Sequence, residues 1–141
     1  MDALRIPILQ LGPLLLISIQ VELSDSLAEQ LQDDILEEIH RTGAQGVLLD
    51  ITALEMVDTF ISRIISETAQ MCSLMNARLV LVGIRPPVAL TLMQMGLKLP
   101  GVDSAMDMQA GLQKLGYRLA RIKQAQPKRG GEEKADENRY D

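Results

Sequence analysis

The sequence predicts an α/β domain: a mostly parallel sheet with an antiparallel hairpin at its N-terminal edge and helices packed on it. Three observations carry this. Residues 47–51 and 78–84 are short, nearly unbroken apolar runs, as expected of parallel strands covered on both faces. Each follows a long segment whose apolar residues recur with helical spacing. The two earliest apolar runs, residues 6–11 and 14–21, are divided by Gly12-Pro13, a pair that breaks regular structure and favours a turn.

Those first runs form the hairpin, with the second strand the more buried. Pro7 cannot donate to a ladder, which puts the first strand at an edge or makes its start irregular. Ser24, Asp25 and Ser26 then offer three N-caps, and Ser26 with Glu29 has capping-box spacing. Leu27, Leu31, Ile35 and Ile39 follow at intervals of four, with Leu36 widening the stripe, so an amphipathic helix runs to about Arg41 and stops at Gly43. His40, in its last turn, reads as a donor or cation near the C-terminal carbonyls. Gly46 introduces the strand over 47–51, and a polar bend follows over 52–58.

After the bend, Ile61, Ile64, Ile65, Thr68, Met71, Cys72 and Met75 share one helical face, predicting a long helix opened by Thr59. Cys72 on that stripe reads as a small core hydrophobe. The next strand, 78–84, ends at Gly83-Ile84-Arg85-Pro86-Pro87, whose prolines suit the first turn of a helix over 88–95 that closes at Gly96. A short strand is expected around Val102, then a last helix over 106–119 with Met108, Leu112, Leu115 and Leu119 on one side. From Ala120 the composition turns to Lys, Arg, Gln, Glu and Gly. Residues 1–119 therefore read as one domain and 120–141 as a charged, flexible tail. The order is β-β-α-β-α-β-α-β-α, with right-handed crossovers.

Composition excludes several functions. Aromatic residues make up only 2% of the 141 residues, which leaves no stacking platform for single-stranded nucleic acid, and a net charge of −5 leaves no basic footprint for a duplex. Cys72 is the only cysteine and His40 the only histidine, so a disulfide framework, a Cys/His zinc site and a His-based triad are all out of reach. A non-enzymatic protein without metal or cofactor is expected. No apolar run approaches the ~20 residues of a membrane span. The N-terminus lacks the basic and apolar regions of a secretion signal, making a cytoplasmic location the default.

What chemistry remains lies in the bend. Asp58 is placed to cap the helix, with Thr59 as its first residue and its hydroxyl exposed. Such a bend sits beyond the carboxyl end of a parallel strand, where ligands and partners of open α/β sheets gather. A helix N-terminus suits an anion, including a phosphate made on the protein itself. Nothing nearby can activate Thr59 as a nucleophile, so any chemistry there must come from an external kinase. Phosphorylation would add about −1.5 to −2 charges. Asp58 and Glu55 would oppose that charge while the helix end welcomes it, and a partner docked over the loop would be dislodged. Two alternatives share the site. One is a small-anion or nucleotide site, for which a Gly-rich cradle is missing. The other is an enzyme using Asp58 or Glu55 as general base, which lacks a second group to separate the pKa values. Met93, Met95, Met106 and Met108 form a methionine-rich run that reads as core filling ahead of adaptable contact surface.

Several spaced segments carry a family resemblance: Ile6-Pro7-Ile8-Leu9, Leu15-Leu16-Ile17-Ser18-Ile19-Gln20, Gly43-Ala44-Gln45-Gly46-Val47, Met56-Val57-Asp58-Thr59-Phe60-Ile61 and Val82-Gly83-Ile84-Arg85-Pro86. Together they resemble a STAS domain, and within that family the stressosome scaffold of the RsbS type, over residues 6–119. The resemblance implies the STAS fold and a non-enzymatic anti-sigma-factor antagonist. It implies assembly with RsbR-type co-antagonists into a large complex, and retention of an RsbT-type serine/threonine kinase until that kinase phosphorylates the scaffold. The acceptor position maps to Thr59, where scaffold members usually carry Ser, and the partner-binding loop to Glu55, Met56, Asp58 and Thr59. Thr91 matches a second acceptor position of the partner family, and Ser62, one turn beyond Thr59, is a further candidate.

Overall fold

The computed structural model describes residues 4–94 and 102–116. Its elements are β1 (Leu9–Leu11), β2 (Leu14–Ser18), α1 (Asp25–Thr42), β3 (Gly46–Asp50), α2 (Thr59–Leu74), β4 (Arg78–Val82), α3 (Pro86–Gln94), β5 (Val102–Ala105) and α4 (Met108–Lys114). The strands form one sheet in the order β1-β2-β3-β4-β5. Only the β1–β2 pair is antiparallel. The predicted mostly parallel sheet with an antiparallel edge hairpin is therefore the observed one.

Alternation along the strands sorts the core into two layers. Leu15 and Ile17 of β2, Val47 and Leu49 of β3, and Leu79 and Leu81 of β4 face α1 and α2. Leu14, Leu48, Val80 and Val82 face the opposite way, onto Leu112, Met108 and Leu115 at the α4 end of the chain. Both crossover helices between β2, β3 and β4 thus lie on one face, as crossovers of a single hand between successive strands require.

Local chemistry explains most boundaries. Ile6-Pro7-Ile8 stays outside the ladder and β1 starts at Leu9 on the sheet edge, where the missing Pro7 donor costs nothing. Helix α1 ends at Gly43, which is left-handed (φ 72°) and returns its N–H to the Ile39 carbonyl. Its N-cap is Ser24, whose hydroxyl accepts from the Leu27 N–H at 3.2 Å, so the Ser26/Glu29 capping box is not the one used. Strand β4 stops at Val82, two residues earlier than the apolar run suggests, because Gly83 turns the chain with φ 76°. Pro86 and Pro87 occupy the first turn of α3, which therefore begins at Pro86 and not at Val88.

Two expectations about packing need correction. On α2 the predicted stripe is buried at Ile61, Ile65, Thr68 and Cys72, and Ile64 and Met75 pack half-buried against the same core, whereas Met71 is 38% exposed; Ser62 and Ala69 are buried beside the stripe. Met93 and Met106 are exposed (78% and 85%), not core, and Met108 is half-buried. The last helix starts at Met108, not at 106. Met95, Gly96, Leu119 and the charged segment 120–141 lie outside the described residues. Among the described residues no helix is long and apolar enough to cross a membrane.

Candidate functional site

The bend between β3 and α2 is built from the strand outward. Beyond β3, Ile51 donates to the Val82 carbonyl at 2.9 Å, and Leu54 turns back to the Ile51 carbonyl at 2.9 Å. The Asp50 carboxylate holds the corner by accepting from the Thr52 N–H at 2.9 Å and from the Thr52 hydroxyl at 2.6 Å. Gly83, on the neighbouring strand's exit, passes so close that an added Cβ would collide with the Thr52 Oγ1 atom. Aspartate, threonine and glycine therefore lock two strand ends together.

Within that loop, Leu54 and Val57 are buried and act as anchors, while Glu55 and Met56 between them point outward. Met56 is 79% exposed. Asp58 has extended backbone (φ −103°, ψ −175°) and its Oδ1 accepts from the Ile61 N–H at 2.9 Å, the N-cap geometry read from the sequence. Thr59 is the first residue of α2 and is exposed. Glu55, Met56, Asp58 and Thr59 are thus brought onto one surface.

The other two hydroxyls differ. Ser62 is fully buried, and among the described residues its Oγ has no hydrogen-bond partner. A kinase cannot reach it in the folded chain. Thr91 is half-buried on α3 and its hydroxyl donates to the Pro87 carbonyl at 2.9 Å. Cys72 is fully buried and burial pushes its thiol up to about 12, consistent with a core hydrophobe. His40 is exposed in the last turn of α1, next to Arg41.

An open cleft of about 590 Å³ runs between the β2–α1 connection (residues 20–23) and the bend. Leu23, Leu54, Val57 and Ile61 line it with apolar surface, and Glu22, Glu55 and Asp58 make it acidic. Arg85, at the end of the β4–α3 connection, approaches Glu55 at 3.8 Å. Sequence reading missed Glu22, Arg85 and the Asp50–Thr52–Gly83 lock. The pairing of β2 with β3 contains the missing signal: Ser18 registers with Asp50, so whatever follows β2 must border whatever follows β3. Among the described residues no group of His, Cys, Asp and Glu is arranged to hold a metal ion.

Comparison with known proteins gives a consistent picture. The STAS domain family pattern matches residues 5–102. A serine-to-glutamate variant of RsbS from Moorella thermoacetica is 38% identical, with a TM-score of 0.71 over 83% of this chain and 98% of that one. A chain from a structure described as the molecular architecture of the stressosome, a signal integration and transduction hub, is 37% identical, with a TM-score of 0.68 over 78% of this chain and 96% of that one. The RsbT co-antagonist protein RsbRA of Bacillus subtilis (strain 168) is 31% identical over 86 residues, which are 61% of this chain. The chain matches only 31% of the length of that curated relative.

Proposed function

The chain belongs to the STAS domain family, and we propose that it is a non-enzymatic stressosome scaffold and anti-sigma-factor antagonist that retains an RsbT-type serine/threonine kinase and releases it once Thr59 is phosphorylated. One observation carries the reading. The three candidate hydroxyl residues are sorted by their surroundings, and only Thr59 stands exposed on a helix N-terminus beside an open cleft. Similarity to an RsbS and to a stressosome chain supports the scaffold role, and similarity to RsbRA supports partnership with RsbR-type co-antagonists in a large assembly.

The mechanism is electrostatic. Asp58 and Glu55 already make the docking surface negative, and a phosphate on Thr59 would add about −1.5 to −2 charges within the same few ångströms. The helix end tolerates the anion, so the fold persists while an apposed partner meets an unpaired charge at its interface. Three carboxylates lining the cleft also disfavour the alternative of a small anion or nucleotide seated there.

The test uses purified chain, the cognate kinase and ATP. Mass spectrometry is expected to find phosphate on Thr59, with Thr59→Ala holding the kinase through the incubation. Thr59→Asp should weaken kinase binding by roughly tenfold or more, the scale of a misplaced interfacial charge. Phosphate on another residue, or release from Thr59→Ala at the wild-type rate, would overturn the reading.

A further inference from the structure

Among the described residues Arg5 pairs with Asp34, Arg41 with Glu38, Arg78 with Asp103 and Arg85 with Glu55, whereas Arg63 pairs with no carboxylate. Arg63 is exposed on α2, one turn beyond Thr59. Glu67, also exposed, lies one turn further along the same helix, at the spacing of an i,i+4 pair, and the two still do not meet.

Helix geometry accounts for this. An i,i+4 ion pair is favourable with the acid on the N-terminal side and weaker in the reverse order, which is the order of Arg63 and Glu67. A long side chain on a helix also leans over the turn N-terminal to its own Cα. Both effects match Arg63 to an anion at residue 59 and not to Glu67. We propose that Arg63 is the cation that receives a phosphate on Thr59, an inference that rests on the phosphorylation proposed above.

Residues four apart on a helix have Cβ atoms about 5–6 Å apart. An arginine spans that distance and can place two parallel N–H groups on two phosphate oxygens. The positive end of α2 acts on the same group from the other side. Arg85 is less suited, because it already faces Glu55 at 3.8 Å. One guanidinium offsets only part of the about −1.5 to −2 charges of a phosphate. The first turn of α2 is thereby held together beside Asp58 and Glu55, while the excess charge still makes the docking face more negative, as release requires.

The test uses the full chain with phosphothreonine placed at residue 59 during translation, so it needs no kinase. Phosphorus NMR reads the second pKa of the phosphate, which is about 6 without neighbours. Asp58 and Glu55 raise it, whereas the helix end and Arg63 lower it. Arg63→Gln is expected to raise it by about half a unit, roughly a threefold change in proton affinity, the scale of an exposed i,i+4 pair. Arg85→Gln should raise it by less. Equal values in the parent chain and Arg63→Gln, or a larger effect from Arg85→Gln, would overturn the pairing and leave the switch at Thr59 standing. Transfer of phosphate by the cognate kinase to a different residue would overturn the switch instead, and the pairing would still be decided by the titration.

Discussion

Helices α2 and α3 follow successive strands of one sheet, yet α2 buries six side chains along its 16 residues while α3, the more apolar of the two, buries Val88 alone. The reason is position and length. Helix α2 lies across the sheet alongside α1, where Gln32 of α1 donates to the Thr68 hydroxyl at 3.0 Å, and its inward face meets β4. Helix α3 has nine residues and leaves Leu90 and Met93 58% and 78% exposed. Apolar content thus does not measure seating. A firmly seated α2 holds Asp58 and Thr59 at the surface, whereas α3 leaves Leu90 and Met93 exposed.

The largest test of this contrast is truncation on each helix. Ile65→Ala on α2 should destabilise the domain by about 2–5 kcal/mol, because it opens a cavity between helix and sheet. Met93→Ala on α3 should change stability by less than ~0.5 kcal/mol in denaturant titrations. Equal losses would erase the distinction.

Alkaline pH offers a second probe of α2. The Cys72 thiol is raised to about 12 in the folded state, against about 8.5 for an unfolded cysteine. The native chain then holds a proton that the unfolded chain gives up. The contribution is complete below the unfolded pKa and is lost as pH rises from there toward 12, at up to about 1.4 kcal/mol per pH unit. Urea titrations above pH 9 should show this slope in the wild type and its absence in Cys72→Ala; a slope shared by both would refute it.

Smaller effects should follow at the start of the helix. Asp58→Ala removes the acceptor of the Ile61 N–H and should cost about 1 kcal/mol, whereas Asp58→Asn should recover most of it. Ser62→Ala should be neutral or raise stability by up to ~1 kcal/mol, since it removes a buried hydroxyl that has no partner among the described residues. A clear loss in thermal melts of Ser62→Ala would mean that the hydroxyl is satisfied after all.

The geometry of the candidate site was legible in part. Asp58 and Thr59 stood out because a cap is a local event, decided by a side chain and the N–H groups within one turn. Ser62, one turn beyond Thr59, stood in the sequence as a secondary candidate, and the seating of α2 separates the two further: Ser62 is fully buried, Thr59 exposed. The methionines misled for the same reason. Met93 and Met106 have the chemistry of core residues, but among the described residues no element lies over them. In the sequence Arg85 belongs to the strand exit and to the segment 82–86 that carries the family resemblance, and its approach to Glu55 spans thirty positions that no local pattern connects.

From the sequence by itself came the order of strands and helices, the edge hairpin, the Gly43 stop, the proline-started helix and the capped start at Asp58. Each depends on periodicity or on φ and hydrogen-bonding limits within a few residues. The cleft between the loops after β2 and β3, the Asp50–Thr52–Gly83 lock and the unequal seating of α2 and α3 were decided by tertiary structure alone. They arise where segments distant in the chain are brought into register, and a local pattern records that a face is apolar without recording what, if anything, will lie on it.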